Sequence, residues 1–326
     1  MEPNAAAARE GNTAPAVSYR DRVLDNCGII IKGKRDVILN VLITFLCGGH
    51  VLLEDVPGTG KTMLLRAFAK TIGGGFRRIQ FTPDLLPSDL TGIHFYNQKT
   101  GDFEFRPGPL FSNMILADEI NRATPRTQSA LLEAMAEGQV TVDGKSFPMA
   151  SPFMIMATQN PIESYGTFPL PEAQKDRFFM RLSLGYMRRE EEMRVMYGED
   201  TSSLLASLEA VVTPEETEEV RKAASQVKVS EEVGTYLMQI IEETRKDSRI
   251  RIGASTRGTL ALFTAAKTKA CLDGRNYVIP EDIKELAPFV LAHRLTCAGT
   301  LRSGEDTALL RDILTAVPVP TEEIGT

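Results

Sequence analysis

HVLLEDVPGTGKTMLLRAFAK, residues 50–70, decides the fold. Val51, Leu52 and Leu53 form the short apolar run of a parallel strand covered on both faces, and Pro57, Gly58 and Gly60 interrupt it. Leu65, Phe68 and Ile72 then recur at helical spacing, and Gly73, Gly74 and Gly75 stop that helix. Between strand and helix, glycines let backbone N–H groups close on phosphates that the helix N-terminus also attracts. The candidate cradle comprises Pro57, Gly58, Thr59, Gly60, Lys61, Thr62 and Met63. Lys61 is expected to reach the β- and γ-phosphates and Thr62 to hold magnesium. The pattern G-x-x-x-x-G-K-[ST] fails only at its first glycine, where Asp55 stands outside the Gly58 to Thr62 core.

The rest of the chain bounds the reading. At 326 residues, 43 % hydrophobic and 25 % charged, it has a soluble globular composition with room for two domains. A net charge of −6 and the lack of any basic block leave no electrostatic footprint for nucleic acid. Neither a secretory leader nor a bilayer-length apolar run is present, so a cytoplasmic protein without direct membrane insertion is expected. Cys27, Cys47, Cys271 and Cys297 lack C-x-x-C spacing and read as small buried residues. His50, His94 and His293 make no zinc cluster.

Residues 1–18 are alanine-rich and aperiodic and read as a disordered tail. Helical spacing follows from Tyr19, interrupted by GIIIKGK at 28–34, where Ile29 to Ile31 have the apolar character to pack beside an adenine base. Arg78 to Phe81 reads as a strand. IHFYNQKTGDFEF is a hairpin signal, placing an insert at about 91–108. NMILADEINR, residues 113–122, is an apolar strand ending in two carboxylates. Asp118 suits magnesium held through water, and Glu119 suits polarising an attacking water. A second hairpin, about 139–150, turns at Asp143-Gly144, the type I′ pair. FMIMAT is another buried strand, and Asn160 just beyond it is a candidate to hydrogen-bond γ-phosphate and water.

In PLPEAQKDRFFMRLSL a helix carrying Asp176 and Arg177 is expected to run into a strand over 179–184. If subunits form a ring, Arg177 there can serve the neighbour's γ-phosphate, with Arg181 a second candidate. From Met187 on the pattern is helical. Thr213-Pro214-Glu215-Glu216 is a capping box, Ser230 starts a helix, and GASTRG starts another with Arg257 in its first turn. A cation there opposes the helix dipole, so either an anion such as a γ-phosphate lies opposite it or the arginine is simply solvated.

These strings together resemble the MoxR family of AAA+ ATPases from about Tyr19 to the end. The carrying segments are GGHVLLEDVPGTGKT, QFTPDLLPSDLTG, GPLFSNMILADEINRATPRTQSALLEAM, ATQNPIESYGTFPLPEAQKDRF and GASTRGTLAL. The resemblance implies an α/β core with a central parallel sheet flanked by helices, over 19–186. A small all-α lid would occupy 187–326, with no extra substrate-recruiting domain. It implies Lys61 and Thr62 as Walker A, Asp118 and Glu119 as Walker B, Asn160 as sensor 1, Arg177 as arginine finger and Arg257 as sensor 2. ATP and Mg2+ are the implied cofactors, and Asp118 joins the nucleotide-binding residues. The two hairpins would be the helix-2 and pre-sensor-1 inserts that line the pore of a ring, commonly a hexamer. Departures are Asp55 and Lys34, the latter where a Gly-Gln pair is common near the adenine.

The expected activity is ATP hydrolysis at subunit interfaces that remodels or matures partner proteins, possible clients in this family carrying von Willebrand factor A domains. A nucleic-acid motor is an alternative disfavoured by the acidic charge. A slow ATP-gated scaffold is another, disfavoured by the presence of both Glu119 and Arg177.

Overall fold

The computed structural model describes residues 13–55, 58–159, 166–198, 200–298 and 304–320. Helices α1 (Ala14–Ile30) and α2 (Arg35–Leu46) precede strand β1 (Val51–Glu54), and α3 (Lys61–Thr71) follows the cradle loop. Strand β2 (Phe76–Gln80), the short α4 (Pro87–Thr91) and the hairpin of β3 (Gly92–Asn97) and β4 (Asp102–Pro107) lead to β5 (Met114–Asp118). Helix α5 (Pro125–Glu137), a second hairpin of β6 (Gln139–Val142) and β7 (Lys145–Pro148), then β8 (Met154–Gln159), α6 (Glu172–Lys175) and β9 (Met180–Leu182) complete the α/β part.

Helices dominate thereafter: α7 (Arg189–Met196), α8 (Thr201–Ser207), α9 (Pro214–Gln226), α10 (Glu231–Lys246), α11 (Thr256–Leu272), α12 (Pro280–Leu291) and α13 (Glu305–Ala316). Strands β10 (Ile250–Ile252) and β11 (Thr296–Cys297) pair antiparallel among them. Their starts follow the capping chemistry. Thr213 and Glu216 exchange both capping-box bonds, and Ser230 and Ser255 accept from Val233 and Gly258 N–H.

The central sheet is wholly parallel, in the order β2-β5-β8-β1-β9. Alternate residues of its strands enter two separate cores, which is why the strands read as continuous apolar runs. Val51, Leu53, Leu116 and Met156 face a core built with α1, α2, α3 and the later helices. Leu52, Ile115, Ala117 and Ile155 face the α5 side. Leu65 and Phe68 of α3 and Ile72 at its C-terminal cap are all buried, as their spacing requires.

Two expectations about the chain's course need correction. The tail was expected to extend to Ser18, but α1 begins at Ala14. Pro15 fits a first helical turn, where its missing N–H costs nothing, and Ala16 and Tyr19 are buried. Thr13 Oγ1 also donates to the Gly274 carbonyl at 2.8 Å. The helix near Arg177 stops at Lys175, and the following strand is only Met180–Leu182. The chain must turn there to put the Phe179 N–H on the His50 carbonyl at 2.8 Å, which starts the β1–β9 pairing.

Candidate functional site

In a parallel sheet every strand ends at the same edge, so the loops after β1, β5 and β8 meet there. The β1 loop carries the cradle. Gly58 and Gly60 have φ of +83° and +89°, conformations that L side chains rarely adopt. A Cβ at either would meet no atom within 4 Å, so the loop encloses open space. Gly60 caps α3 without any side-chain acceptor, and no acidic residue lies in the first turn. Uncapped N–H groups at a positive helix end, with a lysine beside them, form a donor set that fits phosphates. Lys61 Nζ donates to the Asp55 carbonyl at 3.2 Å, folded back over its own loop. Pro57 lies outside the described residues.

Beside the cradle is a cavity of about 340 Å³. Gly58, Thr59, Gly60 and Met63 line one side, Ile29 to Ile31 another, and Leu184, Met187 and Leu204 close it. Its apolar walls next to a phosphate loop suit a purine base. Lys34, the departure noted near the base, also lines this cavity, with its Nζ on the Tyr186 carbonyl at 2.8 Å.

Asp55, the other departure, has a structural explanation. The side chain is only 5 % exposed. Its carboxylate accepts from Ser183 Oγ at 2.7 Å, Leu184 N–H at 2.6 Å and Gly185 N–H at 3.0 Å. A glycine there could not bind the end of β9 to the start of the cradle.

The carboxylates at the end of β5 are held by neighbours that sequence reasoning missed. Thr158 on β8 donates its hydroxyl to Asp118 Oδ1 at 2.6 Å and accepts the Glu119 N–H at 2.8 Å. Arg78 on β2 reaches Asp118 Oδ2 at 2.6 Å, and Gln80 donates to Glu119 Oε2 at 2.7 Å. Arg122 Nε pairs with the same Glu119 oxygen at 3.1 Å. Glu119 itself sits in the left-handed region, φ 58° and ψ 49°, a local strain that a glutamate tolerates only when its surroundings fix it. The sequence signal for Arg78 and Gln80 is their i, i+2 spacing, which puts two polar groups on one face of a strand paired with β5. Among the described residues no group of three or more His, Cys, Asp or Glu could cage a metal. Thr62 in the first turn of α3 and Asp118 at the end of β5 are the hydroxyl and carboxylate that would suit a magnesium ion keeping most of its waters.

Arg177 and Arg257 lie at the other edge of the sheet. Arg177 precedes β9, and its Nη1 donates to the Leu132 carbonyl in the middle of α5 at 3.0 Å. Arg257, 55 % exposed at its side chain, pairs with Asp176 at 3.3 Å. The anion opposite Arg257 is thus a carboxylate of the same chain, where a γ-phosphate had been one expectation. Arg181, the alternative finger, is committed internally: its guanidinium pairs with Glu54 at 3.3 Å and Asp306 at 2.7 Å. Asn160 lies outside the described residues.

A phosphate cradle after β1, paired acids after β5 and a helical C-terminal part define a P-loop ATPase of the AAA+ class. A family model described as "ATPase family associated with various cellular activities (AAA)" matches residues 50–180, and one described as an AAA lid domain matches 242–313. YeaC of Bacillus subtilis is 48 % identical over 92 % of this chain and 95 % of its own. Chaperone MoxR1 of Mycobacterium tuberculosis is 40 % identical over 86 % of this chain and 77 % of its own. A crystal structure from Cytophaga hutchinsonii superposes with a TM-score of 0.85 at 40 % identity, covering 94 % of this chain and 97 % of that one. The chain belongs to the MoxR family of AAA+ ATPases. Among the described residues no helix is long and apolar enough to cross a membrane.

Proposed function

We propose that this chain forms a ring of like subunits, six by family analogy, that hydrolyses ATP with magnesium at its interfaces to remodel partner proteins. The observation that carries the reading is the division of the chemistry between two edges of one sheet. Lys61, Thr62, Asp118 and Glu119 lie at one edge, Arg177 and Arg257 at the other. The five residues from His50 to Glu54 alone span about 16 Å of extended chain, so both sets meet one phosphate only when a neighbour supplies the arginines.

In this reading the Lys61 ammonium holds the β- and γ-phosphates, and the cavity by Ile29 to Ile31 takes the base. Thr62 and, through water, Asp118 would hold a magnesium ion, which would supply charge neutralisation at the phosphate oxygens. Glu119 orients and polarises the attacking water, and Asn160 hydrogen-bonds water and γ-phosphate. The neighbour's Arg177 and Arg257 stabilise charge on the transferring group. Protein clients are supported by the name of the mycobacterial relative, and von Willebrand factor A domains are the class proposed. Four free cysteines suit the reducing cytoplasm proposed as its compartment.

Glu119→Gln tests this reading. ATP affinity should hold within about twofold while phosphate release falls by about 10²-fold or more, the usual loss on removing a general base. Mass photometry should show ATP-dependent assembly that the variant retains, and a client pulldown should use this trapped form. Normal phosphate release by the variant would remove Glu119 from its role. Full turnover by a species with the mass of one chain would remove the ring.

A further inference from the structure

Asp176 precedes Arg177 and has no part in the chemistry described so far, yet three groups of the helical segment converge on it. Its Oδ1 accepts from Ser255 Oγ at 2.8 Å and Arg294 Nε at 3.0 Å, and its Oδ2 pairs with Arg257 at 3.3 Å. Ser255 is the N-cap of α11 and Arg257 its first-turn arginine, so one carboxylate fixes both the start of that helix and the arginine leaving it. The arrangement also offsets the penalty of a cation at a helix N-terminus.

Arg294 is the second half of the device. Its side chain is 2 % exposed, and its donors all turn toward the segment around Arg177 or its own helix. They reach the carbonyls of Asp176 at 3.4 Å, Phe178 at 2.7 Å and Phe179 at 3.2 Å, as well as that of Val290. His293 Nε2–H donates to the same Phe178 carbonyl at 2.9 Å. Arg177 is therefore bracketed by backbone positions that the helical segment holds, while its own guanidinium rests on the Leu132 carbonyl. Stability alone does not require a charged cluster here, because well-packed apolar side chains commonly serve as well as a buried ion pair. A carboxylate shared between a buried and an exposed guanidinium adds direction.

We propose that Asp176 is a positioning residue through which the helical segment sets the reach of Arg177 and Arg257 toward the neighbouring subunit. The inference rests on the reading that those arginines act across an interface. Displacing a group that meets the transition state by about 1 Å costs up to about 100-fold in rate, so Asp176 governs turnover without touching nucleotide.

The test uses full-length chains and three variants. Asp176→Asn should keep ATP affinity within about twofold, since the cradle lies at the other sheet edge, and lose about 10- to 100-fold in kcat. Mixed with Lys61→Ala chains, which cannot hydrolyse but retain Asp176 and Arg177, it should regain part of its turnover, because a working cradle that borders such a chain then meets an intact neighbour. A purely structural lesion would stay with the chain that carries it and show no recovery. Arg177→Ala is mixed in the same way as reference, with native mass spectrometry confirming mixed assemblies. Recovery of Arg177→Ala without recovery of Asp176→Asn overturns the role of Asp176 and leaves the finger standing. Recovery of neither overturns the trans reading and this inference with it. Should Asp176→Asn not fold, Asp176→Glu, which keeps a charge for Arg294, takes its place with an expected loss of about threefold or more. Wild-type turnover in whichever variant folds overturns the inference.

Discussion

Replacing Asp55 with glycine brings the loop to the commoner phosphate-binding pattern, and it should damage the protein. The carboxylate receives three hydrogen bonds from residues 183–185 and is itself buried. Ser183 is exposed and Gly185 half-buried, so their donors can turn to water once the carboxylate is gone; the N–H of buried Leu184 cannot. Losing charge-assisted bonds costs about 1.5–3 kcal/mol each where no replacement exists, and orphaning a buried N–H costs about 1–3 kcal/mol. With the two rehydrated donors discounted, the Leu184 bond together with roughly 0.5–1 kcal/mol for the added backbone freedom of glycine leaves a loss of about 2–4 kcal/mol. In a domain of this size that lowers the unfolding midpoint by about 10 °C. Because Lys61 rests on the Asp55 carbonyl, a loosened loop must also be ordered on binding, which should weaken ATP by about tenfold. Calorimetric melting and ATP titration of Asp55→Gly and Asp55→Asn read both effects, the asparagine variant falling between. A glycine variant within about 1 kcal/mol of the wild type would refute the reasoning.

Two further outcomes follow from buried or shared polar groups. Burial pushes the His50 pKa down to about 4, only partly opposed by its bond to the Met135 carbonyl, while its Nδ1 accepts the Ile155 N–H. Above the ordinary value of 6.5 the ring is neutral folded or unfolded and contributes no pH dependence. Below it the unfolded chain binds a proton that the folded chain refuses, so stability falls with pH, by about 2 kcal/mol at about pH 5. Urea unfolding at both ends of that range should show a shallower pH dependence for His50→Gln, and equal slopes would dismiss the assignment. Gln80→Ala frees one side of Glu119 and should lower kcat by about three- to tenfold with unchanged ATP affinity, measured by phosphate release and calorimetry. An unaltered kcat would mean that Arg122 alone suffices.

Much of the fold was legible because it depends on short-range chemistry. The cradle, the helix caps at Thr213, Ser230 and Ser255, and the Asp143-Gly144 turn, with φ of 48° and 77°, each depend on a few consecutive residues. What escaped depends on register between distant strands. Thr158 meets Asp118 and Glu119 only because β5 and β8 pair with Ala117 opposite Ala157, some forty residues apart in the chain. The same holds for Asp55 and residues 183–185, where a mismatch to a local pattern resolves into a long-range bond. Arg177 and Arg181 are equally good arginine-finger candidates in the sequence. They separate once Arg181 is found paired with Glu54 and Asp306.

The two hairpins are fastened to each other. His94 Nδ1 pairs with Asp143 at 2.7 Å, and the rings of Phe105 and Phe147 stack with centroids 4.4 Å apart. One hairpin runs into β5 and the other into β8, neighbouring strands whose far ends carry the carboxylates and Thr158. A load applied to the exposed Tyr96–Phe103 tip is thus shared between two parallel struts rather than borne by one. Because β8 is hydrogen-bonded to β5 on one side and to β1 on the other, that load is passed both to the bonds among Asp118, Glu119 and Thr158 and to the strand that carries the cradle.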